Sequence, residues 1–292
     1  MDNIRQTAID RFRAYLERRQ FSAHTLVSYT LDLHVFFTVV AVPLAQVSFR
    51  EVDDFVESQH QHGRAWATIN RRLNALKHFF DFCLEQQFVG GNPVKPSHFV
   101  RRGRPLPKAL SREHVRRLFA QIDHPMDRAL FLVMLRCGLR VSEVAQLTLE
   151  QIDWEQQALH VVQGKGRKDR RVSMSPDAVA SLHRCLAQHP GARAKGSVFW
   201  NRKRQEQLLS VKAIQKKMER YAKAAGITAS CHSLRHTFAS NLLEHGAEVV
   251  AIRDFLGHSQ ISSSERYAKI SNQKIKQEYM RTMQKILKQG QV

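Results

Sequence analysis

Apolar residues recur at steps of three and four through the first part of the chain. Between Asn70 and Leu84 they form a single stripe made of Leu73, Leu76, Phe79, Phe80, Cys83 and Leu84. Between Ser22 and Phe37 the same spacing places on one face Leu26, Tyr29, Leu33, Phe36 and Phe37. Such spacing is typical of amphipathic helices that bury one face. Residues 1–88 are therefore predicted to be helical.

After residue 110 the chain combines helical and strand patterns. Helices are predicted from Arg112 to Ile122, Asp127 to Cys137 and Ser142 to Leu147, and again from Val211 onward. The second helix is almost entirely apolar, so it is expected to be buried, and Gly138 suits its C-cap. Short strands are predicted at Ala158 to Val162 and Arg171 to Met174, joined by a hairpin-type connection with two glycines. The predicted fold is mainly α with a small β-sheet (α+β).

The composition changes sharply between these two parts. Residues 89–111 contain Gly90, Gly91, Pro93, Pro96, Gly103, Pro105 and Pro107. Such a stretch forms neither a helix nor a central strand, and it is typical of an inter-domain linker. The predicted organisation is a helical domain over residues 1–88, a linker over 89–107 and a second domain over 108–292.

Basic residues outnumber acidic ones by 46 to 26, which gives a formal net charge of +20. Residues 1–100 carry +1, residues 101–110 carry +4 and residues 111–292 carry +15. This charge favours a polyanionic partner, most commonly nucleic acid, although a soluble protein that is simply basic fits as well. An electropositive linker and second domain would suit a clamp that closes around a DNA duplex.

Two basic surfaces are candidates for contact with DNA. The polar face of the helix predicted over 70–84 is basic and rich in amides, and it supplies Asn70, Arg71, Arg72 and Lys77. A polar face is usually only solvated, but in a basic protein this one also suits DNA. The linker supplies Arg101, Arg102 and Arg104.

Several classes of protein are disfavoured by what the sequence lacks. The four cysteines have no paired spacing and are expected to be reduced, mostly buried thiols of a cytosolic protein. The 15 histidines form no metal-binding motif, and no phosphate-binding glycine loop is present, so neither a metal nor another cofactor is predicted. The first eleven residues are polar rather than a leader, and the apolar run from Val35 to Val47 is too short to span a bilayer. The predicted location is the cytoplasm, at the nucleoid when DNA is bound.

Four short segments carry residues that are suited to phosphate chemistry. They are the segment Cys137 to Glu143 with Arg140, the glycine hairpin with Lys165, the segment His232 to His236 with Arg235, and the segment Leu256 to His258 followed by Tyr267. Each of these residues, taken alone, is more often structural or solvent-exposed. His232 and Arg235 are three residues apart, so on a helix they can point into one site.

Together these side chains form a chemically complete set for phosphoryl transfer on DNA without a metal. Two guanidinium groups can bind the negative charge on the nonbridging oxygens of a phosphodiester. A phenol, with a pKa of about 10, needs a base and a cationic pocket to become a nucleophile. A lysine can protonate the leaving 5′ oxygen.

The ordered set resembles the tyrosine recombinases, also called the phage integrase family, and is especially similar to their two-domain Xer-type members. Box I of the family is matched by Gly138 to Glu143, its β-hairpin lysine by Lys165, and its His-x-x-Arg box by His232 to Arg235. Its Leu-Gly-His is matched by Leu256 to His258 and its nucleophile by Tyr267. The resemblance covers nearly the whole chain, with no departure at a catalytic position. It implies an N-terminal helical core-binding (SAM-like) domain and a C-terminal catalytic domain that form a C-shaped clamp on DNA.

The resemblance also implies a role for each matched residue. Tyr267 would attack the scissile phosphate and form a 3′-phosphotyrosyl intermediate, while Arg140, Arg235 and His258 bind the phosphate. His232 would transfer a proton at the nucleophile, and Lys165 would protonate the leaving oxygen. Glu143 would orient the site, whereas His236 is interpreted as structural. Neither ATP nor a metal is implied.

Assembly of several protomers is a further implication. The segment Lys274 to Leu287 is amphipathic; it can pack on its own domain, but in the family a helix here, at about residues 272–288, packs into the neighbouring protomer. The implied partners are a double-stranded recombination site and three further protomers, as a tetramer on two duplexes, with a second recombinase or an accessory protein also compatible. No membrane partner is implied.

Alternatives remain at this stage. The reaction could serve chromosome or plasmid dimer resolution, or integration and excision of a mobile element. A DNA-binding accessory protein that has lost catalysis would carry the same charge, but the intact catalytic set argues against it. A type IB topoisomerase shares the chemistry, but the small N-terminal helical domain favours a recombinase.

Overall fold

A computed structural model of the chain describes residues 3–100, 109–162, 169–191, 196–204, 207–248, 252, 255–256 and 272–288. Six predicted site residues lie outside the described residues, namely Lys165, His258, Tyr267, Arg101, Arg102 and Arg104. The chain divides into two compact units, Met1–Arg104 and Pro105–Val292.

The described part of the first unit is built from helices. They are α1 (Asn3–Arg18), α2 (Ala23–Val39), α3 (Phe49–Gln61) and α4 (Trp66–Glu85), with 3₁₀ turns at Leu44–Gln46 and Pro96–His98. Serine side chains cap the N-termini of two of these helices. Ser22 Oγ accepts a hydrogen bond from the backbone N–H of Thr25 at 3.1 Å, and Ser48 forms a reciprocal capping box with Glu51. These caps fix where α2 and α3 start.

Aromatic side chains fill the core of this unit. Phe36 of α2 contacts Phe55 of α3 and Phe80 of α4 edge to face, with ring centroids 5.1 and 6.1 Å apart. The predicted stripe of α4 is buried except for Leu84, which is 43% exposed. Leu84 follows Lys77 by seven residues, which is almost two full helical turns, so it lies above that lysine on the polar face. The prediction that Leu84 belongs to the buried stripe is wrong.

The second unit combines helices with a small sheet. Its described helices are α5 (Arg112–Ala120), α6 (Pro125–Cys137), α7 (Val141–Ala145), α8 (Pro176–Leu186), α9 (Val211–Ala224), α10 (Cys231–Glu244) and α11 (Asn272–Lys288). A 3₁₀ turn, Leu149–Gln151, precedes the antiparallel strands β1 (Ile152–Asp153), β2 (Ala158–Val161) and β3 (Arg170–Ser173), which lie in that order in the sheet. The register pairs Ile152 with Leu159 and Leu159 with Val172. The prediction of a mainly α fold with a small sheet is confirmed.

Helix α6 is the central element of the second unit. Its residues from Met126 to Cys137 are buried except for Arg128, as its apolar sequence predicts, and it packs on α8 and α10. Two charged side chains are buried with it. Asp127 accepts hydrogen bonds from Lys217 Nζ at 2.9 Å and Tyr221 Oη at 2.8 Å, and Arg136 Nε donates to Asp177 at 2.8 Å. Pairing of this kind is what allows charges inside a core.

Gly138 ends α6 in the left-handed conformation, with φ of +64°. A Cβ atom at this position would overlap the ring of Phe238 in α10. Glycine is therefore required both by the backbone conformation and by the close approach of α10. This turn sets the position of Arg140, two residues later.

Replacing Gly138 with alanine should destabilise the second unit by roughly 3 kcal/mol, combining about 1–2 for the left-handed backbone with about 1–3 for the clash. Gly246→Ala is the matched control, because Gly246 has φ of +84° but nothing within 4 Å of its would-be Cβ. We expect only the backbone cost there. Urea unfolding of both variants measures the difference, and equal losses would contradict the packing role of Gly138.

Helix α11 packs on its own unit in this single chain. Tyr279, Met283 and Ile286 are buried in the core of the second unit, and the ring of Tyr279 lies 5.4 Å from that of Phe255. The Tyr279 hydroxyl donates to the carbonyl oxygen of Arg136 at 3.0 Å. The sequence allowed this helix to pack either on its own domain or into a neighbouring protomer. In the structure of a single chain it packs on its own domain.

The cysteines agree with the expectation from the sequence. Cys83, Cys137, Cys185 and Cys231 are all free and buried, as predicted. Burial raises the pKa of the Cys83 and Cys185 thiols to about 12 and that of Cys231 to about 11. Among the described residues, no helix is both long enough and apolar enough to cross a membrane.

Candidate active site

Arg140 and Glu143 form the first part of the site, at the start of α7. The backbone N–H of Arg140 donates to Glu143 Oε2 at 2.7 Å, and its Nη1 donates to Oε1 at 2.7 Å. Arg140 thus caps α7 while its side chain is held against a nearly buried carboxylate. The close pair follows from the short spacing, since residues three apart lie on one side of a helical turn.

Arg170, which no sequence motif indicated, supplies the remaining hydrogen bonds to the carboxylate of Glu143. Its Nη1 and Nη2 donate to Glu143 Oε1 and Oε2 at 2.9 and 2.8 Å, and its Nε donates to the carbonyl of Phe255 at 3.0 Å. It is the first residue of β3 and is largely buried. The only signal in the sequence was a second basic residue beside the predicted strand, which is not distinctive.

Arg235 lies deepest in the site and is only 3% exposed. From α10 its Nη1 donates to the carbonyl of Gly138 and its Nη2 to that of Leu256. Nη1 also lies 4.0 Å from Glu143 Oε2. Burial first, and then the positive charge of Arg140, lower the pKa of Arg235 to about 9. The group stays protonated at neutral pH, but it lies where an additional negative charge would be stabilised.

His232 lies one helical turn before Arg235, in the first turn of α10. Its ring contacts that of His236 edge to face, with centroids 4.2 Å apart. Burial, followed by the charges of His236, Arg235 and Arg140, lowers the pKa of His232 below its usual value. The imidazole is therefore neutral at neutral pH, as a proton acceptor must be.

A cavity of about 500 Å³ lies beside three of these side chains. Arg140, His232 and Arg235 line it, together with Gln215 and Glu219 of α9. The structure therefore brings together the predicted residues of box I and of the His-x-x-Arg box. Lys165, five residues before Arg170, and His258, two residues after Leu256, lie outside the described residues.

Glu143 is the acidic centre of this arrangement. Burial alone would raise its pKa, but the hydrogen bonds and charge of Arg170, together with the bonds from Arg140, lower it to about 2. Because the pKa in the folded state is below the unfolded value of 4.5, the carboxylate stabilises the fold at neutral pH. That contribution is lost as the pH falls from about 5 towards 2.

Glu143→Gln should therefore be less stable than wild type at pH 7, and the gap should narrow on acidification. We expect a gap of at most about 3.5 kcal/mol at pH 7, taking about 1.4 kcal/mol for each pKa unit. Urea unfolding at several values from about pH 7 to about pH 3 measures how this gap narrows. Glu113→Gln, which breaks an exposed ion pair to Arg116, should cost less than about 1 kcal/mol. A gap for Glu143→Gln that grows as the pH falls would contradict the assignment.

Two of the DNA-contact candidates on α4 are paired with buried groups of the first unit. Arg71 binds the buried carboxylate of Asp32, with Nη2 and Oδ1 2.8 Å apart, and its side chain is 49% exposed. Arg72 donates to Gln59 and lies 3.6 Å from Asp32, with only 13% of its side chain exposed. Arg72 thus belongs mainly to the interior of the unit, whereas Arg71 still presents half of its side chain to solvent.

The other two candidates on α4 also have intramolecular partners. Asn70 exchanges two hydrogen bonds with the backbone of Val100, at 2.9 and 3.2 Å. Lys77 Nζ lies 2.9 Å from Asp81 and keeps 51% of its side chain exposed. These contacts show that the polar face of α4 holds the end of the first unit together as well as facing solvent.

Two patterns of one protein family together match most of the chain. The pattern described as "Phage integrase family" matches residues 108–274, and "Phage integrase, N-terminal SAM-like domain" matches residues 9–87. The chain belongs to the phage integrase family. Membership confirms the predicted activity class, a site-specific DNA recombinase of the tyrosine type, and leaves an accessory protein or a topoisomerase unsupported.

Relatives within the family span almost the same length as the chain. "Tyrosine recombinase XerC" of Thermodesulfovibrio yellowstonii is 31% identical over 266 residues, covering 85% of this chain and 86% of the relative. "Tyrosine recombinase XerD" of Pseudomonas aeruginosa is 31% identical over 290 residues, covering 94% and 96%. The resemblance to Xer-type members inferred from the motifs is thereby confirmed.

Solved structures of family members share the fold. A λ integrase(75–356) dimer bound to a COC′ core site matches with a TM-score of 0.72 and 17% identity, covering 87% of this chain and 95% of that one. The Tn1549 transposon integrase in complex with circular intermediate DNA matches with a TM-score of 0.72 and 17% identity, covering 92% of this chain and 98% of that one.

Among the residues that the structure of this chain describes, no group of three or more His, Cys, Asp or Glu side chains could hold a metal ion.

Proposed function

We propose that the protein cuts and rejoins DNA through a covalent link between Tyr267 and the 3′ side of the scissile phosphate. The observation that carries the proposal is the convergence of Arg140, Arg235 and a neutral His232 on one cavity of the catalytic unit. The family motif adds Tyr267, Lys165 and His258, which match its catalytic positions in the sequence.

The two arginines supply the charge that the reaction requires. As the tyrosine oxygen approaches phosphorus, negative charge grows on the nonbridging oxygens. Guanidinium groups fixed in advance around that point stabilise the transition state without reorganising. Arg235 is held by two backbone carbonyls and Arg140 by Glu143, so both groups are already fixed before DNA binds.

Protons move in opposite directions on the two sides of the phosphate. The phenol of Tyr267 loses its proton to His232 as its oxygen forms a bond to phosphorus. The bond from phosphorus to the 5′ oxygen breaks, and Lys165 gives that oxygen a proton. The products are a 3′-phosphotyrosyl enzyme and a free 5′-hydroxyl. Attack by the 5′-hydroxyl of a partner strand reverses each step and joins the new strands.

DNA binding is assigned to both units and to the linker. Arg71 and Lys77 of the helical domain, residues 1–88, would contact the duplex, as would the basic catalytic domain, residues 108–292. Arg101, Arg102 and Arg104 of the linker, residues 89–107, would neutralise further phosphates. The solved structures of the λ integrase on a core site and of the Tn1549 integrase with circular intermediate DNA support this part of the proposal.

Assembly on DNA is assigned to α11. Four protomers on two duplexes would exchange this helix, so that the surface now covered by Tyr279, Met283 and Ile286 receives the same helix from a neighbour. A λ integrase structure described as a tetramer bound to a Holliday junction supports the stoichiometry. The proposal places the reaction at the nucleoid, in the cytoplasm.

A nicked substrate tests the covalent step and its polarity. The binding site is first selected from a pool of randomised duplexes, and a nick is then placed beside each candidate scissile phosphate so that the cleaved fragment diffuses away. We expect an adduct that survives SDS, and a released fragment that polynucleotide kinase labels without prior phosphatase treatment. Binding without an adduct at any nick position, or a fragment that needs phosphatase first, would contradict the proposal.

A further inference from the structure

We propose that Arg170 is a positioning residue that keeps Arg235 directed at the phosphate by satisfying the carboxylate of Glu143. This inference rests on the proposed function, since it concerns the same cleavage step. The observation that supports it is the set of contacts around the carboxylate of Glu143. Side chains from box I, strand β3 and α10 meet there.

Each oxygen of Glu143 accepts two hydrogen bonds. Oε1 accepts hydrogen bonds from Arg140 Nη1 at 2.7 Å and from Arg170 Nη1 at 2.9 Å. Oε2 accepts hydrogen bonds from the backbone N–H of Arg140 at 2.7 Å and from Arg170 Nη2 at 2.8 Å. A carboxylate offers about four acceptor positions, so all of them are occupied, and half of them are occupied by Arg170.

Arg235 is the cation that would move if Arg170 released Glu143. Its Nη1 lies 4.0 Å from Glu143 Oε2, about 1 Å beyond hydrogen-bond distance. With Oε2 undersatisfied, this guanidinium would shift from the carbonyl of Gly138 towards the carboxylate. The shift would turn it away from the cavity that receives the phosphate.

The balance of charge leads to the same conclusion. Three guanidinium groups, those of Arg140, Arg170 and Arg235, surround the single carboxylate of Glu143. Among the described residues, the positive charge around Glu143 thus exceeds its negative charge, which suits a phosphoryl group that becomes more negative in the transition state. Without Arg170, Glu143 would offset a larger part of the field that the phosphate experiences.

Arg170 and Arg235 also hold neighbouring points of one backbone segment. Arg170 Nε donates to the carbonyl of Phe255, and Arg235 Nη2 donates to the carbonyl of Leu256. Movement of either guanidinium would therefore be transmitted to the other through this segment. A lysine at position 170 keeps the charge, but its N–H groups all leave one nitrogen and do not match the two oxygens of Glu143 and the carbonyl of Phe255 as the planar guanidinium does.

The experiment compares single-turnover cleavage of two substrates by preformed complexes of Arg170→Lys. One substrate has a normal scissile phosphodiester, and the other has a methylphosphonate there, tested as both stereoisomers, which removes one negative charge. A displacement of about 1 Å can cost about 100-fold in rate, so we expect a loss of about 30-fold on the phosphodiester. On the neutral methylphosphonate we expect the cleavage rate to fall by less than about 3-fold. Less negative charge develops there, so the direction of the guanidinium has less effect on the rate.

Arg171→Lys is the matched control, because Arg171 is the next residue of β3 and pairs with Asp153 at 2.9 Å on the exposed side of the sheet. It should cleave both substrates like wild type. If Arg170→Lys loses the same factor on both substrates, Arg170 only supports the fold and the proposal is overturned. Absence of any adduct with wild-type protein would instead overturn the proposed function.

A double variant covers the case in which Arg170→Lys folds poorly. Arg170→Met leaves Glu143 undersatisfied, whereas Arg170→Met with Glu143→Gln removes the charge that would attract Arg235. We expect the double variant to cleave the phosphodiester about 10-fold faster than Arg170→Met alone. A double variant that folds, as judged by its melting temperature, and cleaves no faster than Arg170→Met would overturn the proposal.

Discussion

Tyr267→Phe should form no covalent adduct on the nicked substrate while binding the site with wild-type affinity. The substitution removes one oxygen atom, and that oxygen is the only proposed nucleophile. Loss of a nucleophile of this kind lowers the rate of the chemical step by at least about 10⁴-fold. The phenyl ring remains, so contacts of the side chain with its surroundings change little. Electrophoresis in SDS measures the adduct, and a mobility-shift titration measures binding.

Tyr221→Phe is the control for loss of a tyrosine hydroxyl in the same unit. The Tyr221 hydroxyl donates a hydrogen bond to the buried carboxylate of Asp127. That carboxylate still accepts hydrogen bonds from Lys217 when the hydroxyl is removed. A net loss of about 1 kcal/mol of stability is expected there, with no loss of adduct. An adduct formed by Tyr267→Phe would show that another side chain attacks the phosphate.

Arg235→Lys should lower the cleavage rate of bound complexes by about 10²–10³-fold, the range for loss of one fixed donor to a developing oxyanion. The two terminal nitrogens of the guanidinium donate to the carbonyls of Gly138 and Leu256. An ammonium group has neither the span nor the planar geometry to hold both and still present a donor to the phosphate. Affinity for DNA should change by less than about 3-fold, because this buried group supplies little of the protein's attraction for the duplex.

Arg117→Lys separates this effect from a general loss of carbonyl contacts. Arg117 donates to the carbonyls of Ala225 and Gly226 at the end of α9, so it resembles Arg235 in its bonding but belongs to no proposed catalytic contact. We expect a modest loss of stability and normal cleavage. Equal rates for Arg235→Lys and wild type would remove Arg235 from the phosphate clamp.

Local features of the fold were predictable because single residues encode them. The turn after α6 needs a residue that tolerates positive φ, and Gly138 is one. The stripe of α4, apart from Leu84, and the almost entirely apolar sequence of α6 were visible in the pattern of residues alone. The predicted helix bounds differ from the observed ones by only a few residues, because serine caps and glycine are local signals.

Contacts between distant segments were not predictable in the same way. Nothing in the spacing of the chain indicates that Arg170 would reach Glu143, 27 residues earlier, or that Asp32 would neutralise Arg71. The polar face of α4 suggested only an exposed DNA surface. Its pairing with α2 depends on how two helices pack, which a pattern within one helix does not encode.

The candidate site divides along the same line. The types of residue that the chemistry needs were recognisable from ordered short motifs, and the structure places Arg140, His232 and Arg235 around one cavity. The balance of charge within that cavity was not recognisable, because it depends on a strand residue with no motif of its own. Arg170 became visible only through its three directed hydrogen bonds.

The position of Cys231 makes its thiol a chemical probe of access to the active site. Cys231 is the first residue of α10, one residue before His232, and it lines the same cavity although it is buried. Its raised pKa leaves almost no thiolate at neutral pH, so its alkylation is slow. An alkylating reagent can reach the thiol through the cavity or when the first turn of α10 opens locally. DNA that occupies the cavity and orders the catalytic residues should therefore slow the alkylation of Cys231, with Cys83 in the other unit as an internal reference.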